Sequence, residues 1–180
     1  MQRRFALLLF LATAACAPQA PAPTLPGALE PASGPRGDAT VPIGHEMAAF
    51  FRNPQPNRPA DAARAIAELE WLADSLPRNP RWQNASSVGL NLLQESRWEA
   101  RTALGIPRSA SGQAVISGLS AAAQAIEAND QAALARALPR RVFPIGPQEM
   151  VRRLSAPPTV RDAVSAYESI ASDPNQGMVH

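Results

Sequence analysis

Apolar residues recur at intervals of three and four along most of the chain after Gly44, and no stretch sustains the strict alternation that marks a half-buried strand. Between Pro59 and Leu76, the residues Ala62, Ala65, Ile66, Leu69, Leu72, Ala73 and Leu76 form one stripe, with Asp61, Arg64, Glu68 and Asp74 opposite it. Pro59 suits the first turn of that helix. A second helix is expected to begin at Pro80 or a few residues later and to stop at TALGIP. There Gly105 stands past the last turn, followed by apolar Ile106 and then Pro107, the order of a Schellman stop. A third runs from Ser111 to about Ala128, with Val115, Ile116, Leu119, Ala123 and Ile126 on one side. Asn129 and Asp130 then turn the chain, and Asp130 can cap a short helix to Leu138.

Two shorter helices complete the pattern. GPQEMVRRL offers Pro147 at a helix start, with Glu149 in the favourable first turn. PPTVRDAVSAYESIAS offers Thr159 as cap, followed by Val160, Ala163, Val164, Tyr167 and Ile170 on one face. Residues 44–173 therefore predict an all-α domain, a compact irregular bundle of five or six helices, long enough for one core. The 34-residue recurrence of a tetratricopeptide solenoid is missing, which favours a bundle. Residues 174–180 read as a frayed tail.

Ahead of the domain lies APQAPAPTLPGALEPASGPRGDATVPIG, dense in Pro, Ala and Gly with few side chains to bury. Residues 16–43 are expected to be a disordered tether, spanning about 30 Å root mean square as a flexible coil.

The N-terminus carries an address. Arg3 and Arg4 precede an apolar run from Phe5 to Ala15, 11 residues long. A spanning helix needs about 20. The run matches the hydrophobic region of an export signal instead, and Ala12-Thr13-Ala14 would serve ordinary secretion as an A-x-A cleavage site. That route would leave the chain's one cysteine as an unpaired thiol in an oxidising compartment. The residues Thr13-Ala14-Ala15-Cys16 resemble the lipobox of bacterial lipoproteins, with Thr13 standing where the family prefers an aliphatic side chain. The resemblance implies a signal peptide over residues 1–15, recognised through Thr13, Ala14 and Ala15, and lipid attachment, palmitate included, at Cys16. It also implies membrane association through that lipid, on the periplasmic side of a bacterial cell envelope. Ala17 lacks the retaining Asp of some inner-membrane lipoproteins, which favours the outer membrane.

Charge and composition narrow the chemistry. Removing Arg3 and Arg4 with the signal leaves 15 arginines against 15 carboxylates, so no polybasic stripe argues for nucleic acid. Every basic residue is arginine. Without lysine there is no Schiff base to a pyridoxal cofactor, no Walker A loop and no S-x-x-K acyl-transfer site. The histidines are His45 and His180, with no second histidine at ligand spacing, so neither a metal nor any other cofactor is expected.

One segment carries a catalytic resemblance. In LLQESRW, Glu95-Ser96 followed by Trp98 is similar to the first motif of lytic transglycosylases. The resemblance implies Glu95 as the acid/base that cleaves peptidoglycan, although the Gly-Leu-Met-Gln segment of that family does not follow. The simpler reading makes Glu95 and Glu99 solvated neighbours on a helix.

Trp71, Trp82 and Trp98 either complete an Ala- and Leu-rich core or form an exposed patch. Trp82 and Trp98, with Arg97 and Arg101, are the candidate partner surface. Arg97 also interrupts the stripe Leu90, Leu93, Ala100 and Leu104, so if that stripe faces inward its guanidinium must find a carboxylate or reach water. The expectation is a lipid-anchored, noncatalytic binding or scaffolding module with an envelope protein partner. The alternatives are a peptidoglycan-cleaving enzyme using Glu95, or a binder of a small apolar ligand.

Overall fold

A computed structural model of the chain describes residues 21–30, 39–82 and 84–172. Among these residues there are seven α-helices and no strand: α1 Thr40–Arg52, α2 Pro59–Ser75, α3 Ser87–Leu104, α4 Gly112–Glu127, α5 Gln131–Ala137, α6 Pro147–Ser155 and α7 Ala163–Ala171. The all-α bundle follows the pattern in the sequence, with α1 to α7 exceeding the expected five or six helices. None of the described helices is long and apolar enough to cross a membrane.

Helix α2 is the hub, packed against α1, α3, α4 and α6. Its alanines at 62, 63, 65, 67 and 73 are buried and let neighbouring backbones approach, while Ile66, Leu69 and Leu72 fill the space between them. Being covered on so many sides changes the fate of its polar positions. Glu68, expected opposite the apolar stripe, is 2% exposed, and Glu70 is fully buried.

Stop signals act as their chemistry requires. Ser86 caps α3 by accepting from the Gly89 amide at 3.2 Å, Ser111 caps α4 through the Ala114 amide at 3.2 Å, and Asp130 caps α5 through the Ala133 amide at 2.8 Å. Gly105 ends α3 at φ 65°, and the Ile106 amide bonds back to the Arg101 carbonyl at 2.8 Å, completing the Schellman stop.

Three boundaries differ from expectation. Helix α1 begins at Thr40 rather than near Gly44, because Thr40, Ile43 and Gly44 already belong to its buried face. Gly44 meets Tyr167 of α7 so closely that an added Cβ would lie 2.0 Å from the ring. Helix α7 begins at Ala163, not after a Thr159 cap: the Arg161 amide is taken by Glu99 Oε2 of α3 at 3.2 Å, and Thr159 is exposed. Between α2 and α3 lie two short 3-10 turns, Leu76–Arg78 and Pro80–Trp82, so the second expected helix starts only at Ser87.

The tether also needs correction where it is described. Leu29 is 3% exposed in the core, and Leu25 packs against it partly buried. Trp71 Nε1 donates to the Pro23 carbonyl at 3.3 Å, and the Thr24 amide donates to Gln113 Oε1 of α4 at 2.7 Å. These two leucines and the hydrogen bonds from Trp71 and to Gln113 are among the contacts by which residues 21–30 lie on the bundle. At its other end the expected tether gives way to helix at Thr40, so positions 40–43 belong to α1. The expected signal peptide and lipobox, including Cys16, tether positions 17–20 and 31–38, and the tail lie outside the described residues.

Candidate functional site

Helix α3 divides its residues between two faces. Leu93, Ser96, Arg97, Ala100, Arg101 and Leu104 turn inward, whereas Glu95, Trp98, Glu99 and Thr102 recur at three- and four-residue spacing on the outer side. Opposite that outer row stand Arg108 from the loop after α3, and Thr159 and Arg161 from the segment before α7. Together with Ala103 they enclose an open groove of about 640 Å³.

Beneath the groove is a buried ion network. Glu70 of α2 receives Arg101 Nε on Oε1 at 2.5 Å, and Arg101 Nη2 and Arg97 Nε on Oε2 at 2.9 and 2.8 Å. Arg101 Nη1 donates to the carbonyls of Pro107, Arg108 and Ala110 at 3.2, 3.3 and 2.9 Å, tying the loop after α3 to the core. Arg97 Nη1 continues the network to Asp74 at 3.8 Å, which Arg78 Nη2 meets at 3.1 Å. The guanidinium carbons of Arg97, Arg101 and Arg108 lie 5.0, 5.1 and 5.0 Å from the centre of the Trp98 ring, within cation–π range. The ring therefore stands in a fixed, positively charged setting at the groove wall.

This arrangement corrects the candidate partner surface. Arg97, Arg101 and Trp82 are 8%, 1% and 1% exposed, so of the four residues only half-buried Trp98 reaches the surface. The physical reason is Glu70, a carboxylate able to satisfy two guanidiniums that would otherwise have to stay in water. Its place in the sequence holds a signal that was missed. Glu70 falls four residues after Ile66 and three before Ala73, within the apolar stripe of α2, just as Arg97 falls within that of α3. Two interruptions of opposite charge on two inward stripes suggest each other as partners. Arg108, Thr159 and Arg161 carried no comparable signal, because they lie outside the helices and the latter two come to α3 from a segment more than fifty residues later in the chain.

Glu95 lines the same groove but is exposed, and Ser96 beside it is buried with its hydroxyl unpartnered. A carboxylic acid that must protonate a glycosidic oxygen works from an enclosed, apolar setting, and Glu95 lacks that enclosure. His45 stands exposed in the second turn of α1, edge-on to Tyr167 with ring centres 5.4 Å apart. His180 lies outside the described residues. Among the described residues no three His, Cys, Asp or Glu side chains are grouped to hold a metal. An open hollow of about 470 Å³ between α4 and α5 is walled largely by alanines, including Ala121, Ala125 and Ala133. No family model, curated protein or solved structure matches this chain.

Proposed function

We propose that the protein is a lipid-anchored component of a bacterial cell envelope whose helical domain is a noncatalytic binding or scaffolding module, with the Trp98 groove as its docking place for a protein partner. The groove carries this reading. Its aromatic anchor is held by a buried network and ringed by Glu95, Glu99, Arg108 and Arg161, charges of both signs. Recognition surfaces combine those features: a rigid aromatic or Arg anchor contributes affinity, and a charged rim selects the partner. Anchorage rests on the lipobox-like Thr13-Ala14-Ala15-Cys16. Two or three acyl chains, at about 0.8 kcal/mol per buried methylene, hold a protein at a bilayer stably.

A photoreactive amino acid placed at exposed Thr102 in the full chain, expressed in the bacterium of origin, tests the docking surface. A discrete crosslinked protein that disappears when Trp98→Ala is added is the expected result; absence of any adduct would sink the reading. A second reading keeps Glu95 as a catalytic acid, because it shares the groove with Trp98. Soluble muropeptides released from peptidoglycan by the wild type and not by Glu95→Gln would establish it, and no release is expected.

A further inference from the structure

The crevice between α1 and α2 contains a carboxylate that the fold leaves without a partner. A small pocket of about 120 Å³ is lined by Glu46 and Phe50 of α1 and by Asp61, Arg64, Ala65 and Glu68 of α2. Glu68 is 2% exposed, and its carboxylate forms no hydrogen bond among the described residues. A charged carboxylate in that setting is costly, so it either takes up a proton or gains a cationic partner through the pocket onto which it opens. The neighbouring charges do not. Arg64 Nη2 is bonded to Glu127 at 2.6 Å and Arg64 Nη1 to Asp61 at 3.4 Å, while Asp61 also takes Arg58 Nε at 2.5 Å. Exposed Glu46 forms no ion pair among the described residues. The pocket thus presents three carboxylates against one guanidinium that is already shared.

We propose that this pocket binds an alkylammonium head group, with Glu68 at its buried end, Glu46 at its open end and Phe50 as an aromatic wall. A primary ammonium is a compact charge with three donors, which two carboxylates and an aromatic side chain can take up together. A divalent cation is a poorer fit, because calcium takes six to eight oxygens and the three carboxylates lining the pocket are not grouped closely enough to hold a metal ion together. The chain contains no lysine, so the ammonium must come from outside it, either as a free amine or as a lysine side chain. Burial first, and then the Glu46 carboxylate, push Glu68 up to about 8 against the weaker opposite pull of Arg64. Near neutral pH the empty site therefore holds a proton on Glu68. Entry of the ammonium ionises the carboxyl, its proton leaves to solvent, and no other bond changes. Binding should strengthen between pH 6 and pH 8.

The full-length protein titrated with butylammonium chloride, followed by backbone amide resonances at pH 6, 7 and 8, tests the site. Saturable shifts confined to Glu46, Phe50, Ala65, Glu68 and their neighbours are expected, tightening as pH rises. Sodium chloride at equal concentration should not reproduce them. Glu68→Gln should weaken binding at least tenfold, and Glu46→Gln, at an exposed position, should weaken it as well. An acetyl-Gly-Lys-Gly-amide arm separates the sources: tighter binding than butylammonium assigns the site to a lysine side chain, weaker binding to a free amine. No saturable shift with either probe, unchanged affinity in both variants, or displacement of the amine by micromolar calcium would overturn the proposal.

Discussion

At the residue scale, Glu70 is the side chain on which the groove depends most. It takes hydrogen bonds from two arginines, and one of these also gathers three loop carbonyls, so removing it leaves two guanidiniums in the interior with fewer partners. Breaking a buried pair by deleting one member costs about 3–5 kcal/mol, whereas exposed pairs such as Arg52–Glu168 contribute about 0–1 kcal/mol. Glu70→Ala is therefore expected to shift the urea midpoint strongly, and Glu168→Ala hardly at all. Glu68 predicts a different signature. Its carboxyl is raised from the ordinary 4.5 to about 8, chiefly by burial, so the folded state holds a proton that the unfolded state has released across that window. The stability linked to it is complete below about pH 4.5 and is lost as pH rises through about 8. Denaturation of wild type and Glu68→Gln at pH 6 and pH 9 isolates this contribution, and the variant should gain on the wild type at the higher pH.

At the scale of elements, residues 21–30 behave as part of the bundle. Leu29 is buried, and Thr24 and Pro23 bond to α4 and α2 through Gln113 and Trp71. Leu29→Ala should cost about 2–5 kcal/mol, the lost burial plus the cavity left behind, whereas in a free tether the same change would be silent. Thermal melts of the two proteins decide between them. The other elements were legible to different degrees. Caps at Ser111 and Asp130, the stop at Gly105 and the start at Pro147 follow from local chemistry, because a cap or a left-handed turn is satisfied within a few residues. The start of α7 was not legible, since the donor that a Thr159 cap would have satisfied is taken by Glu99 from another helix.

At the scale of the whole molecule, the proposed anchor and the groove belong to opposite ends of what a sequence discloses. Cys16→Ser should abolish incorporation of a palmitate analogue and release the protein from the membrane fraction; equal labelling of the variant would refute lipid anchorage. That expectation needs only contiguous residues, because a signal is recognised as an extended run of side chains before the chain folds.

The sequence by itself determined the helical class, most helix boundaries and the chemistry the chain cannot perform for lack of lysine, since periodicity, capping and composition act locally. It also determined that Arg97, once turned inward, must meet a carboxylate or reach water. Only the tertiary structure decided between them and supplied Glu70. Glu70 lies 27 residues before Arg97 and reaches it because α2 is enclosed by its neighbours. The same enclosure buries Arg101 and Trp82, leaves Trp98 at the surface and closes Glu68 into its pocket. Burial depends on how many elements surround a helix, and residue spacing along one helix does not contain that number.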